Sequence, residues 1–358
     1  MLVLRSLYIS QCFHLVMAHW WLSSQVFFTE TTNSCNNMVG FTKEQIELCK
    51  KYPLLINVIG KGARKALVEC QEQFSFHKWN CSHTDQKKRL LLGILTSQGT
   101  REAAFFRAVT SAGVTDEIIR ACNMDKYSDT CQCEHLPNFI NEKLKWHECN
   151  DNIKFGAMFA HKFLDAKEKG ADASGLMNKQ NNLAGQMAVK QHSLLICICH
   201  GVSGACNMKT CRHSISPFKQ VGNFLQKKYH SAIHTYFDQN KNELVPVKHG
   251  VLEHTKYDLV YLEPSPDYCI KNSYKGILGV AGRQCNKASY GPDGCDSMCC
   301  GMGFHTKKVT VESNCNCKFH WCCSVKCEKC ISNVNYYYCR DQTKNQKKKR
   351  KNKERKKE

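Results

Sequence analysis

The sequence CICHGVSGACNMKTC, at residues 197–211, holds four cysteines within fifteen residues, and the rest of the chain is organised around it. Cys197 and Cys199 are two residues apart, so on an extended strand both side chains point to the same face. Cys206 and Cys211 lie on a returning arm, where they can meet Cys199 and Cys197 respectively. The stretch therefore predicts a β-hairpin closed by two nested disulfides. A bulge is expected on the return arm, where the cysteine spacing is longer.

The inner bridge would enclose a six-residue loop that runs from His200 to Ala205. Gly201 and Gly204 permit positive φ angles, and Ser203 between them is displayed at the tip of the loop. Glycine and serine in this order are also typical of an ordinary tight turn with no further role. The residues alone leave both interpretations open.

The same stretch resembles the lipid-bearing hairpin of Wnt signalling ligands, whose pattern is C-basic-C-H-G-V/I-S-G-S-C followed by K/Q-T-C-W. Ile198, Ala205 and Arg212 depart from that pattern, whereas Ser203 is retained. The resemblance implies that Ser203 carries a covalent palmitoleoyl group and that the chain needs no other cofactor. It also implies a receptor contact through the loop residues His200, Gly201, Val202, Ser203 and Gly204.

An enzyme is the first alternative, because His200 stands three residues before Ser203 and the two suggest a base and a nucleophile. A nucleophile elbow needs the pattern G-x-S-x-G, whereas Gly204 follows this serine directly. A loop clamped by two bridges also lacks the strand-to-helix turn on which such a serine sits. We therefore predict a chain that is not an enzyme and has no catalytic residues.

Composition and the N-terminus indicate the cellular compartment. The chain has 358 residues, 42% of them hydrophobic, which is enough for two domains with buried cores. Its 25 cysteines favour an oxidising compartment. An apolar run from Leu7 through Trp20 predicts a signal peptide over residues 1–24, with an uncleaved anchor as the alternative. Cleavage would remove Cys12 and leave 24 of the 25 cysteines, so we expect a secreted protein with an even number.

The net charge of +20 is partly concentrated in the segment 343–358, where Lys344 to Glu358 hold ten basic and two acidic residues. Such a run repels itself and buries nothing, so we expect a disordered tail. For a secreted chain this charge favours heparan-sulphate-type glycans as partners. In a nuclear protein the same tail would indicate nucleic-acid binding, but no aromatic residues interleave with it to stack on bases. No nucleic-acid partner is predicted.

Apolar residues at helical spacing predict helices over residues 42–49, 53–74 and 99–122, with a kink or break at Gly113. Further helical segments flank the hairpin, so residues 25–236 are predicted to form an N-terminal helical domain. ECQEQFSFHKWNCS, GTREAAFF and CNDNIKFG within it resemble Wnt signatures. Asn80 begins the only Asn-x-Ser/Thr sequon of the chain, which predicts a surface glycan.

The composition changes after Tyr236. Residues 237–256 are polar and contain no cysteine, so we predict a linker there. Residues 257–342 contain twelve cysteines and are predicted to form a smaller cystine-rich domain, in which bridges replace a large core. LVYLEPSPDYC and GVAGRQCNKASYGPDGCDSMCCGMGF within it resemble the Wnt C-terminal signature.

CNCKFHWCCSVKCEKC, at residues 315–330, predicts a second hairpin, or finger. Its cysteines nest about one centre when they are paired as Cys315–Cys330, Cys317–Cys327 and Cys322–Cys323. A bond between adjacent cysteines forces a tight turn that would direct four side chains outward, namely Phe319, His320, Trp321 and Val325. A zinc ribbon is the alternative, because CxC and CxxC also occur in metal sites. Neither His305 nor His320 stands at a ligand spacing, so no metal site is predicted.

The resemblance covers roughly residues 33–342 and implies an α+β fold, in which the helical domain bears the acylated hairpin and the cystine-rich domain bears the finger. Besides the pairs already named, the family's pairing carried over gives Cys70–Cys81, Cys122–Cys131, Cys133–Cys149, Cys269–Cys300, Cys285–Cys295 and Cys299–Cys339. Cys35 and Cys49 remain and should pair together.

The resemblance further implies a secreted morphogen of Wnt signalling in development. The hairpin loop and the finger tip, Cys322 and Cys323 included, would bind the cysteine-rich domain of a Frizzled receptor. A lipoprotein-receptor-related co-receptor would bind elsewhere, and an acyltransferase and a membrane carrier of the secretory pathway would handle the lipid. The alternative is a cystine-rich growth-factor or matrix protein that is not acylated and binds sulphated glycans by charge.

Overall fold

A computed structural model describes residues 41–82, 97–124, 127–131, 152–168, 172–207, 209–248 and 252–341, together with residues 35, 94 and 250. The predicted signal peptide 1–24, the basic tail 343–358 and the Cys133–Cys149 bridge lie outside the described residues. Contacts divide the chain into two compact units. The first is Met1–Gln73 with Cys81–Pro266, and the second is Phe74–Asn80 with Asp267–Glu358.

The first unit is mainly helical. In the described residues its helices are α1 (Lys43–Lys51), α2 (Pro53–Gln73), α3 (Arg101–Cys122), the single turn α4 (Ser128–Cys131), α5 (Asn152–Asp165), α6 (Ala173–Gln191) and α7 (Phe218–His230). Helix α3 begins after Thr100, whose side chain accepts a hydrogen bond from the Ala103 backbone N–H, as expected of an N-cap residue. The helices predicted near residues 42–49, 53–74 and 99–122 are therefore confirmed.

Helix α3 is the centre of this unit, because almost all of its side chains are buried and α2, α5, α6 and α7 pack around it. Glycines allow the closest approach between α2 and α3. A Cβ atom at Gly62 would lie 2.5 Å from the carbonyl oxygen of Gly113, which is too close for any side chain. The helix is not broken at Gly113: α3 runs on through it, and this glycine accommodates the helix crossing.

Two small sheets complete the first unit. They consist of the antiparallel hairpin β1 (Ser193–Cys199) and β2 (Lys209–Ile215), and of β3 (Ile233–Asp238), β4 (Glu243–Pro246) and β5 (Val260–Tyr261) in the order β4-β3-β5. The segment 237–256, predicted as a linker, therefore contains β4. Leu244 on this strand is buried against Met177 and Val260, and that burial holds the segment in the first unit. The division between the units falls after Pro266 and not at residue 256.

The second unit has few helical residues and a long hairpin. Its elements are β6 (Gln284–Cys285), the short helix α8 (Cys295–Met298), β7 (Phe304–His320) and β8 (Ser324–Cys339), with the strands in the order β6-β8-β7. Its small core consists of Val280, Met298 and half-cystines. Bridges thus take the place of a large core, as predicted, and the mixed helical and cystine-rich architecture confirms the α+β fold class.

Candidate functional site

The hairpin β1–β2 is anchored at its base by helix α3. The Ser216 backbone N–H donates to the carbonyl oxygen of His192 at 3.1 Å, which closes the base. Arg120 of α3 donates to the carbonyl oxygen of Ser216 at 3.1 Å, while the buried Asp116 holds the guanidinium at 2.9 Å. The hydrogen bond to Asp116 raises the pKa of the Arg120 guanidinium.

The two strands pair without a shift along all seven residues of each, and this register places Cys211 directly opposite Cys197. Cys197 is disulfide-bonded, and its pairing with Cys211 stays a prediction. Cys199 bonds to Cys206, which lies in the loop before β2 begins. The longer spacing on the return arm is taken up by that loop, so the predicted bulge is absent from the strand pairing.

The loop beyond the Cys199–Cys206 bridge displays Ser203. The Gly201 N–H donates to the Ala205 carbonyl oxygen at 2.8 Å and closes the loop, and a Cβ at Gly201 would collide with that same carbonyl. Val202–Gly204 form a short 3₁₀ turn in which Ser203 has φ 57° and ψ 28°, in the left-handed region. Ser203 is exposed, as predicted, and Val202 beside it is 90% exposed.

The chain leaves this tip as an antiparallel strand and not as a helix. A nucleophile elbow holds its serine between a strand and a helix. Ser203 therefore lacks the local geometry of a hydrolase nucleophile, although it is well placed to carry a group that reaches outward.

One feature of the hairpin escaped the sequence-based prediction of site residues. Leu194, Ile196 and Ile198 alternate along one face of β1 and are 54%, 43% and 50% exposed. The available signal was their two-residue spacing, which indicates a half-exposed strand face. These apolar residues form a row along β1 towards Val202, whereas the positions paired with them on β2 are Ser214, Arg212 and Thr210, so the exposed apolar row belongs to β1 alone.

In the second unit, β7 and β8 form the finger. The Cys315–Cys330 and Cys317–Cys327 disulfides are both present, as predicted, and they engage four sulfurs that a zinc ribbon would need as thiolates. The register shifts between Cys315 and Lys318, where Asn316 has φ 47° and forms a bulge on β7.

The finger tip differs from the prediction. Cys322 and Cys323 are free, exposed thiols, so the predicted bond between them is absent. The pair His320–Ser324 closes a three-residue loop, and both cysteines lie in the left-handed region, with φ 71° and 80°. The turn therefore reverses the chain without a disulfide between the adjacent Cys322 and Cys323, which would be strained.

The finger tip nevertheless displays the predicted side chains. Trp321 is 95% exposed, Phe319 69% and Val325 61%, and His320 is exposed as well. Large exposed apolar groups at the end of a hairpin are typical of an interaction surface.

The other described disulfides follow the predicted pairing: Cys35–Cys49, Cys70–Cys81, Cys122–Cys131, Cys269–Cys300, Cys285–Cys295 and Cys299–Cys339. Three buried sulfurs, those of Cys285, Cys299 and Cys339, lie within 4.8 Å of one another, but each belongs to a disulfide and offers no thiolate. Asn80 is half-buried next to Cys81, and a glycan on it stays a prediction.

Comparison with known proteins decides the family. The model of the wnt family matches residues 37–340. The chain belongs to the Wnt family. Human Wnt-2b is 41% identical over 311 residues, which cover 86% of this chain and 79% of that protein. Wnt-2b-A of Xenopus laevis is 42% identical over 311 residues, which cover 86% and 88% respectively.

The fold of this Wnt family member also matches a solved structure. A chain of human WLS in complex with WNT8A aligns with a TM-score of 0.61 and 34% identity, over 86% of this chain and 99% of that one. Membership of the Wnt family makes the chain a signalling ligand of development, in a family of secreted proteins. Among the described residues, no helix is long and apolar enough to cross a membrane.

Proposed function

We propose that this Wnt family chain is secreted with a palmitoleoyl ester on Ser203 and signals by binding the cysteine-rich domain of a Frizzled receptor. The observation that supports this most directly is the geometry of the hairpin loop. A disulfide and the Gly201–Ala205 hydrogen bond hold an exposed serine at the end of a protruding hairpin. Small neighbours leave room for an attached chain to enter a groove on a partner.

The acyl chain would supply most of the receptor affinity. Burying it offers on the order of 10 kcal/mol gross, at about 0.8 kcal/mol per methylene. Ordering and association reduce this to a net gain on the order of 4 kcal/mol. The finger tip, which exposes Trp321 and Phe319, would form a second contact worth about 2 kcal/mol.

Other partners follow from the same proposal. The similarity to a chain from the human WLS complex favours a membrane carrier that transports the acylated protein. An acyltransferase would install the lipid, and a lipoprotein-receptor-related co-receptor would bind a further surface. The basic tail 343–358 would retain the protein on heparan-sulphate-type glycans by charge. The chain would act by binding alone, with no catalytic step.

The alternative, a cystine-rich growth factor without a lipid, is less well supported. It leaves unexplained why a loop with a serine in left-handed geometry is clamped and exposed at the end of an otherwise regular hairpin. A simple turn between two seven-residue strands requires neither the additional disulfide nor the displayed hydroxyl.

The test is a pair of serine variants within one hairpin. Ser203→Ala should secrete poorly and bind the receptor domain on the order of 1000-fold more weakly, since about 4 kcal/mol is lost. Ser193→Ala is the matched control, because Ser193 only donates to the Lys190 carbonyl oxygen at the hairpin base. It should secrete and bind like the unmodified sequence. Undiminished affinity of a folded Ser203→Ala protein would refute the proposal.

A further inference from the structure

The apolar row of β1, formed by Leu194, Ile196 and Ile198, lies on the hairpin face opposite the sulfurs of this strand. Cys197 and Cys199 alternate with the three residues along the strand, so their side chains project from the other face. The side chains of the row are between 43% and 54% exposed. Covering this apolar surface would be favourable, so the row is a candidate binding surface.

The row is only one strand wide, because the β2 positions paired with it are Ser214, Arg212 and Thr210. A stable protein interface buries about 800 Å² on each partner, and three half-exposed side chains supply far less. A single extended hydrocarbon chain needs only a narrow apolar track. The width of the row therefore favours one acyl chain over a second copy of the protein.

The row also has about the length of one acyl chain. Leu194 and Ile198 are four residues apart on β1, which is about 14 Å at about 3.4 Å per residue. A sixteen-carbon chain spans half of the hydrocarbon core of a bilayer, which is about 15 Å. An acyl chain that starts at the loop would reach Ile198 first and Leu194 last.

The expected attachment point of the acyl chain lies at the loop end of the row. Ser203 follows Ile198 by five residues, and the hydrogen bond from the Gly201 N–H to the Ala205 carbonyl oxygen closes the loop around it. Val202, which is 90% exposed, adds an apolar group next to Ser203. Ile198 extends the row to the loop, at a position where the Wnt pattern has a basic residue. This chain therefore has an apolar path that leads from the loop along β1.

We propose that the acyl chain on Ser203 folds back onto the apolar row of β1 in the free protein and leaves it when a partner takes up the chain. This docking rests on the proposed function, because it requires the ester on Ser203. Each methylene that the row covers favours the docked form by on the order of fourfold, and the ordering of the chain offsets part of this gain. With the chain docked in about nine of ten molecules, its affinity for a membrane falls about tenfold. The row would thus reduce the loss of secreted protein to membranes.

Two matched double variants of the full, acylated chain test this assignment. Ile196→Thr with Ile198→Thr makes the row polar, while the β-branched threonines still favour a strand. Ile270→Thr with Ile331→Thr is the control, because these two isoleucines of the second unit are 68% and 75% exposed. Binding is measured to neutral phosphatidylcholine vesicles, which do not attract the basic tail. The first variant should bind about tenfold more tightly, since its acyl chain is no longer held on the protein, and the control should change less than about twofold.

The sign of the change separates the alternatives. A row that itself touched the membrane would give weaker vesicle binding in the first variant, and this outcome, or no change, would overturn the proposal. Tightening that disappears on dilution of the protein would assign the row to a second copy and also overturn it. Ile198→Lys, which has the residue type of the Wnt pattern, is a milder change to the strand and should also bind more tightly.

A background without the lipid distinguishes this docking from the proposed function. In Ser203→Ala, the added threonine pair should not tighten vesicle binding, because no acyl chain is released. The mass of the 191–212 peptide is measured on the acylated samples. An ester on Ser203 together with unchanged vesicle binding would overturn the docking alone, whereas an absent ester would overturn the proposed function as well.

Discussion

The hairpin tip and the finger tip reverse the chain in similar ways but present opposite chemistry. The hairpin loop is locked at its neck by Cys199–Cys206 and offers small residues around Ser203. The finger is locked further back, by Cys317–Cys327, and its turn exposes Trp321. The cysteines nearest its tip are free.

The difference indicates that the two tips would bind a partner in different ways. The hairpin tip exposes one apolar side chain of moderate size, Val202, so most of its contribution to binding would come from an attached group. An aromatic tip can bury its own side chains and act as a hot spot without modification. Loop rigidity matters more for the first tip, because an attached chain must leave the protein in a defined direction.

Removing the Cys199–Cys206 disulfide should have the largest effect, because this bond holds the loop around Ser203 in one conformation. Removing a bridge that closes so short a loop costs about 2.5 kcal/mol. In Cys199→Ser with Cys206→Ser, hydrogen exchange at the Gly201 and Ala205 amides should rise roughly 70-fold. The Ser216 amide at the base is the internal control and should keep its protection. Unchanged exchange at the tip would mean that the backbone hydrogen bonds alone order the loop.

Removing the aromatic group of the finger should have an intermediate effect. Trp321→Ala should be secreted and acylated normally and bind the receptor domain about 30-fold more weakly, which corresponds to about 2 kcal/mol. Ile331→Ala removes another exposed apolar side chain from the same finger and should bind normally. If both variants lost affinity equally, the contact would extend along the finger and would not be centred on its tip.

Replacing the free cysteines should have the smallest effect. Cys322→Ser with Cys323→Ser breaks no bond in the structure, so the free energy of unfolding should change by less than about 0.5 kcal/mol. Thermal melting without reductant measures this. A loss of 2 kcal/mol or more, in the range given by removal of a disulfide, would show that the two cysteines are bonded in solution.

Much of the fold was predictable because its signals are local. The helical spacing of apolar residues in α2 and α3 and the nesting of cysteines in both hairpins depend only on nearby residues. Gly113 was misjudged because its role depends on Gly62, on another helix. The strand β4 was missed because it is only four residues long and lies in an otherwise polar segment, with Leu244 as its buried residue.

For the two hairpin tips, the sequence predicted which side chains are exposed but not the bonding of Cys322 and Cys323. The motif around Ser203 predicted an exposed loop, and the finger sequence predicted the display of Trp321. The free state of Cys322 and Cys323 depends on the turn that the backbone adopts, which cysteine spacing does not reveal.

The most direct test of the central claim is the mass of the hairpin-tip peptide. Residues 191–212 should be isolated from the secreted protein and sequenced by mass spectrometry, together with the same peptide from Ser193→Ala. We expect one palmitoleoyl ester, on Ser203, in both peptides. An unmodified peptide from secreted protein that still binds the receptor domain would contradict it.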